Sequence, residues 1–169
     1  MNLKDYLLAE LNREVDRSRH ALEQVPEGKG DWKPHEKSMA FGYLTNLVAT
    51  MPMWIGMQIN QDELDITPKG GSKFEQPKLN TSGEYIAALD KAAAGAREAF
   101  EKTTDEHLKT NWQLKAAGNV VAEAPRYEMI QDTFGHWAHH RGQMTVYFRL
   151  MGAKVPAIYG PSADDKEFR

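Results

Sequence analysis

Apolar residues recur at helical spacing in four stretches of the chain, and irregular sequence separates them. In residues 3–24, Leu7, Leu8, Leu11, Val15 and Leu22 fall on one stripe of a helix. Asn2 is placed to cap its start, with Asp5 in the first turn. Val25-Pro26 ends it, because a residue before proline avoids the helical region. Residues 38–61 carry Phe41, Leu44, Leu47 or Val48, Met51, Trp54 or Ile55, and Gln58 on an inner stripe, with Ser38 as the expected cap. Pro52 interrupts that pattern and predicts a kink. Residues 81–103 open on Thr81-Ser82-Gly83-Glu84, which has capping-box spacing, and bury Ile86, Leu89, Ala93, Ala96 and Phe100. Residues 125–152 start at a proline and end at a glycine, with Tyr127, Ile130, Phe134, Trp137, Met144, Phe148 and Met151 on one face.

The connections differ in kind. Residues 27–37 place Trp32 where it can plug one end of a core. Residues 62–80, rich in Pro, Gly and Lys, are long enough to cross the end of a bundle and let the third helix run parallel to the second. Residues 112–123 alternate weakly, and Gly118-Asn119 predicts the turn of a short hairpin. The pattern as a whole predicts an all-α single domain spanning residues 1–169, a four-helix bundle with long crossover connections.

Composition narrows the function. With 41% hydrophobic and 27% charged residues in 169, the chain has the balance of a globular domain. A net charge of −3 does not favour a nucleic-acid partner, and no apolar run approaches a membrane span. The start of the chain has no apolar h-region, so the cytoplasm is the expected compartment. The absence of cysteine removes disulfides, thiolate nucleophiles and cysteine-bound zinc.

The chemistry-bearing stretch is Phe134-Gly135-His136-Trp137-Ala138-His139-His140-Arg141-Gly142-Gln143. On a helix, His136 and His140 lie one turn apart and face the same way, the spacing of a helical metal-ligand pair. His139 is turned about 100° from His140 and falls outside that pair. Two imidazoles make an incomplete site, since zinc takes three or four protein ligands. Spacing alone is equally served by packed or solvated histidines. Gly135 and Gly142 suggest close packing against another helix. Arg141 suits either a solvated position or an anionic substrate.

Beyond these physical readings, the stretch from His136 to Gln143, with Tyr147-Phe148-Arg149-Leu150 and Val155-Pro156-Ala157-Ile158-Tyr159-Gly160-Pro161-Ser162-Ala163-Asp164, resembles the C-terminal signature of the DinB family, the damage-inducible metalloenzyme group rather than the DNA polymerase of that name. Trp32-Lys33-Pro34, Ser38-Met39, Gly42-Tyr43-Leu44 and Val48-Ala49-Thr50-Met51-Pro52-Met53-Trp54 resemble its second-helix region. The resemblance implies a bundle of up-down-down-up order, a homodimer, and a divalent ion, zinc or nickel, held by one histidine of the second helix and two of the last. The last two fall on His136 and His140. It also implies transfer chemistry on a low-molecular-weight thiol.

The chain departs from that pattern at one place. The second-helix histidine falls at position 47, which is leucine here, and no histidine lies between His35 and His107. The metal is therefore absent, weakly held, or completed in its coordination by a loop residue, a dimer partner or water. Tyr43, Asn46, Leu47 and Gln143 are the expected pocket-lining residues around the pair. Two functions follow: a thiol-dependent transferase with a degenerate metal site, or a non-catalytic module that binds a small molecule or dimerises.

Overall fold

In a computed structural model that describes residues 2–71 and 77–167, the chain forms six helices and a three-stranded sheet. Residues 72–76 of the expected crossover lie outside the described residues. Helix α1 (Leu3–Leu22) is capped by Asn2, whose side chain accepts from the Asp5 amide. Helices α2 (Phe41–Thr50) and α3 (Pro52–Asn60) divide the second periodic stretch. Its start lies at Phe41, with Ala40 at the cap position and no side-chain cap bond, rather than at Ser38.

Pro52 makes the division. It has no N–H, so the Val48 carbonyl loses its helical donor. The Trp137 indole Nε1–H donates to that carbonyl instead, at 2.8 Å, across the interface between α2 and the last helix. The broken helical bond thus becomes a tie between two helices.

Strand β1 (Glu63–Asp65) follows, then α4 (Ser82–Lys102) with both halves of the Thr81–Glu84 capping box in place. Helix α5 (Asp105–Leu108) leads to β2 (Asn111–Ala116), β3 (Asn119–Pro125) and α6 (Arg126–Leu150). The hairpin of β2 and β3 is antiparallel, but its turn is Ala117-Gly118, not Gly118-Asn119. Both turn residues have positive φ, +50° and +82°, as a two-residue turn of this handedness requires. Strand β1 adds to β2 in parallel, so the sheet order is β1-β2-β3. The all-α expectation is corrected by this sheet.

The long helices enclose the core. Helices α1, α2 and α3 each pack against both α4 and α6. Fully buried Leu11, Leu44, Ile55, Leu89, Phe100, Ile130, Trp137 and Phe148 meet at its centre. Gly56 of α3 lies against Gly95 and Ala96 of α4, and Ile59 shares a small pocket with Ala99, so α3 and α4 run parallel, as the crossover length predicts. Trp32 packs edge-on against Tyr147, 5.5 Å between ring centroids, at one end of the core.

Candidate functional site at the histidine pair

Helix α6 and the α2–α3 arm run antiparallel, and their contacts set the register of the site. Gln58 Nε2 donates to the Thr133 hydroxyl at 2.9 Å. Trp54 stands edge-on to His136, Trp137 bonds to Val48, and Phe41 packs on Phe148. Moving along this ladder, Leu47 falls level with the turn of α6 that holds His140.

The rings of His136 and His140 come together, 4.5 Å between centroids and tilted by 45°. His136 is exposed, with the Trp54 edge 6.3 Å away, whereas His140 is only 6% exposed. The two imidazoles therefore form a pair with one buried and one open member. The His139 ring lies 5.3 Å from that of His140 but is itself exposed and turned by 59°. Among the described residues no group of three or more His, Cys, Asp or Glu side chains is arranged to hold a metal ion.

Gln143 fixes the chemistry of the buried ring. His140 Nδ1 lies 2.9 Å from Gln143 Oε1. A carboxamide oxygen only accepts, so Nδ1 carries the proton and Nε2 keeps a free lone pair. Although exposed at one side, the His136 imidazole is partly desolvated, which pushes it below its ordinary pKa, and the neighbouring His140 and His139 add to the shift. Burial also lowers His140, opposed by the Gln143 bond and assisted by His139. Both shifts favour neutral rings near pH 7, the state in which imidazole accepts a hydrogen bond, takes a proton or binds a metal.

The remaining expected pocket residues divide. Tyr43 is 50% exposed, and Leu47 is partly buried against the core. Asn46 turns to the crossover, where Nδ2 donates to the Pro77 carbonyl at 2.9 Å, and its buried Oδ1 has no partner among the described residues. Gly135 and Gly142 do not serve close packing: a Cβ on either would meet nothing within 4 Å. Arg141 is neither solvated nor available to substrate. It is fully buried and donates to Glu14 at 2.5 Å and to Ser18 at 2.9 Å. Sequence reading could not find that partner, because Glu14 and Arg141 are far apart along the chain.

The residues present do not fit the three-histidine ion that the resemblance implies. A leucine stands level with the pair and offers no lone pair, and no carboxylate or third imidazole replaces it among the described residues.

Comparison with known proteins bears on the family alone. The chain is similar over part of its length to the uncharacterized protein YrdA of Bacillus subtilis, 39% identical over 108 residues, which are 59% of this chain and 60% of that protein. It thus spans about three fifths of the length of that curated relative. A DinB-like protein from Bacillus cereus has the same fold, with a TM-score of 0.68 at 19% identity over 90% of this chain and 95% of the other. A DinB-like protein from Bacillus subtilis gives 0.66 at 18% identity over 87% and 92%. The DinB family model matches residues 1–167, and the chain belongs to the DinB family.

Proposed function

We propose that this chain is a DinB-family protein that carries the histidine pair of α6 without a three-histidine metal centre, and that it binds a small molecule there rather than catalysing metal-dependent transfer. The single observation that carries this reading is the identity of Leu47, which the register of Trp54 on His136 and Val48 on Trp137 puts near the turn of α6 that holds His140. An apolar side chain there removes the ligand that would close the site, and leaves the pair of neutral imidazoles as acceptors. The ligand class is a small molecule with a hydrogen-bond donor: Nε2 of His140 accepts from it beside the exposed ring of His136.

A second reading, a weak zinc or nickel site serving transfer to a low-molecular-weight thiol, has one observation in its favour. The Gln143 bond presents Nε2 of His140 in the way that outer-shell partners orient metal-ligating histidines. Metal analysis of tag-free protein separates the two. The binding-module reading expects far less than one zinc or nickel per chain. Stoichiometric metal that disappears in His140→Ala would establish the other.

The proposal counts α2 and α3 as one kinked helix, which would give the long helices the up-down-down-up order of the family reading. Exposed Tyr43, Val146 and Leu150, with the open backbone at Gly135 and Gly142, support a homodimer through the α2–α6 face. Light scattering that returns the monomer mass would exclude that assembly. Among the described residues no helix is long and apolar enough to cross a membrane; residence in the cytoplasm remains part of the proposal.

A further inference from the structure

A sizeable concavity lies apart from the histidine pair. A groove of about 470 Å³ runs between the parallel helices α3 and α4, a volume typical of small-molecule sites. Its floor is bare backbone. A Cβ on Gly56 would meet the Gly95 carbonyl oxygen at 3.8 Å, whereas a Cβ on Gly95 would meet nothing within 4 Å, so the helices approach closely and leave a trough beside the contact. Met53 and Met57 form the α3 side, flexible apolar groups that adapt to the shape of a ligand. Ala92 lies opposite on α4.

Charge gives the groove a direction. Lys91 is the one charged residue among those lining it, it is exposed, and no ion pair to it is found among the described residues. The other polar lining groups are neutral, Asn60 and Gln61 toward the far end and Thr50 at the crossover end. A cationic ligand would be repelled at Lys91, and a neutral one would leave it unused.

We propose that the α3–α4 groove binds an amphiphilic anion, with its acid head on Lys91 and its apolar chain along the Gly56–Gly95 floor. The site does not depend on the histidine pair, and its lining residues do not include either histidine.

Decanoate, kept below its micelle concentration, is the probe, titrated calorimetrically into the full chain. Saturable binding at one site is expected. Lys91→Glu weakens it about tenfold, because inversion replaces an exposed attraction with a repulsion. Gly95→Leu fills the trough from an exposed position with room for a side chain and abolishes binding, while circular dichroism shows the helices intact. His140→Ala leaves binding unchanged. The assignment is overturned if decanoate shows no saturable binding, if decyltrimethylammonium binds as tightly, if Gly95→Leu has no effect, or if His140→Ala abolishes the signal.

Discussion

The Trp137 indole donates to the carbonyl of Val48, the helical acceptor that Pro52 leaves without a donor. Trp137 sits between His136 and His140 on α6, so this bond seats the pair against the α2–α3 arm. Trp137→Phe removes the donor and leaves a buried carbonyl unpaired, at a cost of about 1–3 kcal/mol in addition to the lost packing. Pro52→Ala in that background restores a backbone N–H to Val48 and recovers part of the loss. Urea unfolding of the single and double variants measures both; an additive double variant contradicts the exchange of donors.

Gln143 controls the titration of His140. Its bond holds the His140 proton on Nδ1 and opposes the lowering caused by burial. Gln143→Leu is therefore expected to lower the His140 midpoint further, seen by following the ring proton in NMR through the pH range. A midpoint that rises or stays fixed contradicts the role given to Gln143.

Stability depends on pH through the same rings. His136 and His140 both titrate below their ordinary value in the folded chain, so the unfolded chain takes protons first as pH falls. Their neutral forms favour folding above the unfolded value, about 6.5, and that contribution is lost as pH falls through the depressed folded values. Denaturant midpoints are expected to fall from pH 8 to pH 5 for the native chain, and less steeply for His136→Asn combined with His140→Asn. Equal slopes would show that other groups carry the dependence.

The Glu14–Arg141 pair joins α1 to α6 out of solvent, with side-chain exposures of 4% and 1%. Glu14→Ala leaves Arg141 buried and uncompensated and should cost about 3–5 kcal/mol. Replacing both, Glu14→Leu with Arg141→Met, is expected to recover most of that in thermal unfolding. A single variant as stable as the native chain contradicts a desolvated pair.

What was legible in the sequence was local. The Thr81–Glu84 box, the interruption at Pro52 and the one-turn spacing of His136 and His140 depend on neighbours within four residues, and each is present. What was missed depends on distant partners. Strand β1 is three residues long, has no periodicity to read, and exists because β2 offers an edge to it. Arg141 reads as a surface charge until Glu14 is brought to it from the other end of the chain. The turn slipped by one residue because Ala117 adopts a positive φ that its type does not announce. Asn46 lies next to Leu47 in sequence yet turns to Pro77, a direction fixed by the crossover and not by helical period.

In the proposed function, Leu47 stands where a third metal ligand would be needed. Zinc titrated calorimetrically into metal-free native protein and into Leu47→His tests it most directly. Weak binding to the native chain is expected, with tightening in the variant by more than the roughly 10–100-fold that an outer-shell partner contributes. Native protein that binds zinc as tightly as Leu47→His would contradict it.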